Sequence, residues 1–383
     1  MITVCKENMC TGCMACVEAC NKDAIKIVDN LKNYNAVIEK DKCIGCGKCK
    51  HVCQNNDSLE LKKPLSWQQG WSESNEIRGR AASGGMASSL MEAFIEKKGG
   101  YVCGCTFLDG SFQFKIVNQI SEIQCFAGSK YVKSNPEKIY KGIRNLLHNK
   151  EKVLFIGLPC QVAGLKKYIG DNLENLYTID LICHGTPSPK LLECYLKEHG
   201  LDLKTLKDLR FREKNSFRLY DEYNTITNRD MPDRYLFAFL KSLIYTENCY
   251  QCNFAEENRI SDITLGDSWG SNLSEEEQKR GISLIMSQTD KGKELVGLTN
   301  AHLENVDRVT AMEYNGQLNS PVSYNLKRDT FFKLLKQGKK FDHIIFKLYP
   351  DIFIRQYIKF ILKKTKIIRG GVPVVRYGLY YKK

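Results

Sequence analysis

Eight cysteines within the first 53 residues carry the clearest chemistry in the chain. Cys10, Cys13, Cys16 and Cys20 recur 33 residues later as Cys43, Cys46, Cys49 and Cys53, so one module is duplicated. In C-x2-C-x2-C-x3-C spacing three close thiolates hold three irons of one cubane, and the fourth crosses to the other cluster. The repeat predicts two [4Fe-4S] clusters, one on Cys10, Cys13, Cys16 and Cys53, the other on Cys43, Cys46, Cys49 and Cys20. Zinc ribbons use paired knuckles with a longer spacer, and a disulfide framework needs an oxidising compartment. The proline that usually follows the fourth cysteine is Asn21 in one half and Gln54 in the other. That proline shapes a turn and carries no ligand.

A second set, Cys160, Cys183, Cys249 and Cys252, sits in segments rich in glycine, proline or histidine. Four such thiols suit a third iron-sulfur cluster; zinc fits the spacing equally, and plain buried cysteines are the bland alternative. His184 follows Cys183 and is a candidate proton donor or hydrogen-bond partner for a cofactor, or a structural histidine. Cys103 and Cys105 alternate with apolar neighbours and read as buried strand residues.

These residues need elements to position them. Short β-like runs at 24–28, 36–39 and 59–61 suit a small pseudo-symmetric ferredoxin, residues 1–62. A polar stretch holding Pro64, Trp67 and Trp71 reads as a linker, 63–78. A small-residue loop containing Ser83, Gly84 and Gly85 then opens a helix expected over 85–97, capped by Ser83 and stopped at Gly99. Its bare amides could receive a phosphate. Strands are expected at 101–107 and 112–117 around the Asp109-Gly110 turn. Two strand-loop-helix units follow, at 152–168 and 176–199, each with a cysteine just beyond the carboxyl end of its strand. Ligands bind there in open α/β sheets. The run from Asp262 to Gly270 reads as a buried strand turning so as to aim Asp267 and Trp269 at a site, or as a plain hairpin corner. A strand at 282–287 and a helix at 291–298 complete the body, 79–323. The fold class expected is α+β and α/β: a two-cluster ferredoxin, a mixed α/β domain and a basic helical segment, 324–383.

With 383 residues and 43% apolar composition the chain can bury a substantial core. Its formal charge of +13 is local, because sixteen Lys or Arg against three Asp lie from Lys327 onward, leaving a neutral body. A neutral body and a tail without a recognised module argue against nucleic-acid binding. Within 352–366, Ile354, Ile358, Ile361 and Leu362 alternate with Arg355, Lys359, Lys363 and Lys364. That pattern suits a basic helix on an anionic membrane surface, or a solvated face on the body. No apolar run reaches the roughly 18 residues of a membrane span. Seventeen cysteines behind an N-terminus without a secretory signal point to a reducing cytoplasm, with contact to the inner face of the membrane as an option.

Taken in order, Ser83-Gly84-Gly85, Gly128-Ser129-Lys130-Tyr131, Gly157-Leu158-Pro159-Cys160-Gln161, Cys183-His184-Gly185, Cys249 with Cys252, and Gly266-Asp267 resemble the coenzyme F-420 hydrogenase/dehydrogenase beta-subunit family. The resemblance implies FAD beside a [4Fe-4S] cluster and an oxidoreductase that joins hydride chemistry to one-electron traffic; the alternative is an electron-transfer partner protein that performs no hydride chemistry. It implies that the glycine-rich and Gly-Ser-Lys-Tyr loops hold the flavin, with Lys130 on its phosphates, and that Cys160, Cys183, Cys249 and Cys252 are candidate cluster ligands. The partners it implies are a hydride-carrying cofactor or small substrate and a ferredoxin-like or enzyme redox partner. Relatives in organisms lacking the deazaflavin are associated with cell-surface polysaccharide synthesis, a setting the basic C-terminal segment favours.

Overall fold

A computed structural model describes residues 2–57, 59–171, 173–222, 224–227 and 232–365. The ferredoxin repeat is visible in the backbone. Helix α1 (Ala15–Glu18) starts after Met14 at φ 64°, and its counterpart α2 (Lys48–His51) starts after Gly47 at φ 74°. Between them β1 (Ile25–Asp29) pairs antiparallel with β2 (Tyr34–Ile38). The strand expected at 59–61 does not form; the nearest pairing is an isolated bridge between Lys62 and Arg259.

The segment expected as a linker is instead structural. β3 (Ser66–Ser72) lies inside the main sheet between two later strands, and α3 (Asn75–Arg80) follows it, capped by Ser74. Next come α4 (Met86–Ala93), β4 (Tyr101–Leu108), β5 (Ser111–Val117) and α5 (Ile139–His148). Contrary to expectation, Ser83 does not cap α4: the N-cap is Gly85 at φ 89°, and the helix runs into a π segment, Phe94–Lys98. Asp109 and Gly110, both at positive φ, turn β4 into β5.

β6 (Val153–Gly157) is followed by α6 (Pro159–Ile169), β7 (Leu176–Leu181) and α7 (Pro189–Glu198). Cys160 and Gln161 are therefore in the first turn of α6, not in a loop, because Pro159 suits a helix start. A small antiparallel sheet, β8 (Leu209–Glu213), β9 (Ser216–Asp221) and β10 (Asn224–Thr225), precedes α8 (Arg234–Leu240). The body closes with β11 (Ile263–Asp267), α9 (Glu275–Arg280), β12 (Ser283–Ser287), α10 (Asp290–Gly297), β13 (Ala301–Asn305) and α11 (Arg308–Tyr314). The main sheet runs β13-β3-β12-β11-β7-β6-β4-β5. Its four central strands, β11, β7, β6 and β4, are parallel, and antiparallel strands flank them on both sides. β6 is buried along its whole length, as a strand covered on both faces must be.

Helices α12 (Arg328–Lys336), α13 (Phe341–Leu348) and α14 (Pro350–Lys364) form the C-terminal segment. It is no separate appendage, because Phe331, Phe341, Ile344, Ile345 and Phe353 are buried in one core with α7, α8 and β8. Buried Arg328 donates to the carbonyls of Tyr245 and Lys32, tying this segment to the ferredoxin. Only the outer face of α14 is open, exposing Ile354, Tyr357, Ile358 and Ile361. The part of the basic segment beyond residue 365 lies outside the described residues. Among the described residues no helix is long and apolar enough to cross a membrane.

Candidate redox site

A cavity of about 280 Å³ opens at the carboxyl ends of β6, β7 and β11. It is lined by Ser83 and Gly85, by residues 128–131, by Gly157 and Gln161, by Cys183 and His184, and by Gly266, Asp267 and Trp269. Segments far apart in the chain thus meet where an open parallel sheet places its ligands. Gly84 and Pro159 do not line it. Gly84 packs behind the wall, where a Cβ would stand 2.5 Å from the carbonyl oxygen of Gly70.

The small-residue loop is held from outside. Lys214 Nζ donates to the carbonyls of Arg78, Ala81 and Ser83, and Ser83 Oγ donates to the Ile282 carbonyl at 2.8 Å. Burial first, then the neighbouring cations Arg78 and Arg212, push the Lys214 ammonium down to about 8. With loop carbonyls turned toward these cations, α4 begins without a side-chain cap, and Met86, Ala87 and Ser88 of its first turn border the cavity. First-turn N–H groups have no intrahelical partner and favour an anion.

Arg212, on β8, organises the opposite wall and was not singled out by its sequence context. Its guanidinium binds Asp267 through both nitrogens, at 2.8 and 2.9 Å, and donates to Tyr131 Oη at 3.2 Å and the Ala82 carbonyl at 2.9 Å. Its carbon lies 4.9 Å from the Phe217 ring centre and 5.8 Å from that of Trp269. Burial opposes the charge, but Asp267 and Tyr131 outweigh it and keep Arg212 protonated. Asp267 therefore does face the cavity, as part of an ion pair. Gln161 braces the wall, accepting from Leu158 N and donating to Ser134 Oγ.

Lys130 departs from its expected role. It borders the cavity, but its ammonium donates to the carbonyls of Phe126, Ala127 and Gly128 at 3.0, 3.0 and 3.2 Å. An ammonium has three donors, and all three are spent on its own loop. Lys130 is a brace for the 126–131 turn, not a free phosphate contact. Burial holds the His184 imidazole down at about 4, with Asp267 opposing and Arg212 adding to the shift. The imidazole is thus neutral at pH 7.

Of the second cysteine set Cys183 lines the cavity, and Cys160, Cys249 and Cys252 each interact with it electrostatically. Burial raises the Cys160 thiol, and the charges of Cys183 and Cys252 add to it. Burial also lifts Cys183 to about 12 and Cys252 to about 11, with Cys249 contributing to both. Cys249 Sγ accepts from Thr186 N at 3.4 Å and Asn248 Nδ2 at 3.7 Å. Burial thus keeps Cys160, Cys183 and Cys252 as neutral thiols, and iron ligation would draw them to the thiolate form. No group of three or more His, Cys, Asp or Glu among the described residues is gathered as around a single metal ion.

In the ferredoxin, Cys10, Cys13, Cys16 and Cys53 line one small cavity, the grouping that the crossed spacing demands. Cys5 lines it too, a fifth thiol outside the repeated spacing. Hydrogen bonds from Cys10 and then Cys53 hold its thiol well below the usual range, and Asn55 Nδ2 donates to it at 3.7 Å. Cys49 senses the charges of Cys20 and Cys43, consistent with the second grouping. The two cysteine systems meet at α6. A Cβ on Gly164, one turn beyond Cys160, would sit 2.9 Å from Cys13 Sγ. Lys133 bridges the same seam: its Nζ donates to the Thr11 carbonyl at 2.9 Å, and its charge lowers the thiol pKa of Cys160 and Cys183.

Residues 9–56 match the family model of the 4Fe-4S dicluster domain. Residues 150–310 match that of the C terminus of the coenzyme F420 hydrogenase/dehydrogenase beta subunit. The likeness to the F420 hydrogenase/dehydrogenase beta subunits is thus carried by residues 150–310, behind a segment that matches a dicluster domain. The two matches indicate an iron-sulfur oxidoreductase related to those subunits, with its substrate open. A chain of the F420-reducing [NiFe] hydrogenase complex from Methanosarcina barkeri is similar at 18% identity and a TM-score of 0.49, over 71% of this chain and 93% of that one. None of the curated proteins matches.

Proposed function

We propose that this beta-subunit-like chain exchanges electrons between a two-electron site in the cavity and one-electron carriers, through a line of iron-sulfur clusters. The observation that carries the reading is the seam at Gly164. It brings Cys13 of the ferredoxin against the helix that bears Cys160, while Cys183 belongs both to that second thiol set and to the cavity wall. The cavity's fittings suit FAD in kind: an uncapped helix start for a pyrophosphate, aromatic rings from Phe217 and Trp269, and a neutral His184 beside them. FAD supplies the conversion between hydride, which moves two electrons, and single electrons. Arg212 and Lys214 keep the walls in register, and Cys160, Cys183, Cys249 and Cys252 would hold a third [4Fe-4S] cluster. Anaerobic titration with reduced F420, NADH and NADPH tests this. At least one donor is expected to bleach the cluster absorbance; bleaching by dithionite alone, with every hydride donor inert, contradicts it.

The exposed stripe Ile354, Tyr357, Ile358 and Ile361, beside exposed Arg355, Lys359 and Lys364, supports peripheral contact with the anionic inner face of a membrane. A setting in cell-surface polysaccharide synthesis would use such contact. The holoprotein is expected to sediment with anionic vesicles and Ile358→Asp/Ile361→Asp to stay in solution; equal sedimentation argues against it.

A further inference from the structure

The two ferredoxin repeats share a backbone and have opposite surroundings. In the first, the loop and helix facing the body are used up. The Thr11 carbonyl receives Lys133, Cys13 meets Gly164, Ala15 is fully buried, and the Glu18 carboxylate accepts from the backbone N–H groups of Tyr140 and Lys141. This is the face through which the inner cysteine set touches the rest of the molecule.

In the second repeat the positions 33 residues on are Ile44, Cys46, Lys48 and His51. All four are exposed, Ile44 by 67%. Helix α2 buries no residue, Cys43 and Cys46 are exposed, and a Cβ on Gly45 or Gly47 would meet nothing within 4 Å. The loop carries Lys40, Lys42, Lys48 and Lys50 against Asp41 alone. Lys42 is engaged by Glu39, whereas Lys40, Lys48 and Lys50 form no ion pair within the described residues. An apolar residue ringed by unpaired cations, over two cysteines of a cluster-binding motif, has the anatomy of a transient redox interface.

We propose that residues 40–51 are the docking face for an acidic one-electron carrier protein. The occupant follows from two properties of the patch. Its lysines complement carboxylates, and exposed cysteines of a cluster-binding motif suit a partner that takes or gives an electron. The exchange is balanced without atom transfer: the carrier loses one electron as the second cluster gains it, or the reverse. The inference rests on the reading that the N-terminal cysteines hold two clusters, and it does not depend on flavin in the cavity.

The test uses the full anaerobic holoprotein and reduced flavodoxin, an acidic carrier whose absorbance is separable from that of the clusters. In stopped flow, Lys48→Glu/Lys50→Glu is expected to lower the bimolecular rate about 10-fold or more at low ionic strength. Added salt should slow the wild type toward the variant. Iron content and reduction by dithionite should be unchanged, and Lys279→Glu, on the remote helix α9, should behave as wild type. A double variant with full iron content that reacts at the wild-type rate overturns the proposal. If the double variant loses iron, Lys40→Glu and the wild-type salt dependence decide, and a rate indifferent to both overturns it equally. Fewer than eight irons in the wild type would instead overturn the two-cluster reading beneath it.

Discussion

Arg212 holds together three pieces of chain that sequence separates widely: the loop at Ala82, Tyr131 and Asp267. Replacing it leaves Asp267 without its buried partner, which typically costs about 3 kcal/mol or more. Arg212→Ala is expected to lower the urea midpoint accordingly and to abolish flavin retention. Arg212→Lys should recover part of the stability but not the flavin, since an ammonium cannot reproduce the two-pronged bond. Urea melts and flavin absorbance of the purified variants check both. Neither Arg212 nor Cys5 was legible in the sequence. The partner of Arg212 lies 55 residues away, and Cys5 stands outside the repeated spacing. The eight repeated cysteines were legible because cluster ligation is largely a local pattern.

At the level of elements, the buried strands β6, β7 and β11 announced themselves as short apolar runs followed by glycine or cysteine. β3 did not, because its sequence is polar and its partners are distant. Gln69, buried within it, accepts from Ser268 Oγ at 2.8 Å, a contact across 199 residues. Helix α6 joins the two cysteine systems, and Gly164 lets it approach Cys13. Gly164→Val should force the seam apart, since overpacking at such a contact costs about 1–3 kcal/mol. The expected signature is retained N-terminal iron with electron passage from the ferredoxin to the cavity slowed by at least 10-fold in rapid-mixing absorbance traces. An unchanged rate would show that electrons do not cross at α6.

Across the whole molecule, the ferredoxin is part of the body. Val4, Ala15 and Tyr34 share one core with Tyr140, Phe155 and Val162, and Ser188 Oγ donates to Asp29 from the cap of α7. The domain order was readable from the cysteine repeat and the ordered loops, but the boundaries at 63–78 and 323–324 were not. Both are stretches whose polar or basic residues flank a buried face, and composition averages the two. On the proposed reading, electrons entering at the exposed repeat would travel inward across the Gly164 seam toward the cavity. The most direct measurement is iron, sulfide and flavin in the full chain purified without oxygen, compared with Cys183→Ser. About twelve irons and one FAD are expected in the wild type, and about eight irons in the variant. Eight irons and no flavin in both would contradict electron transfer through a third cluster to a flavin.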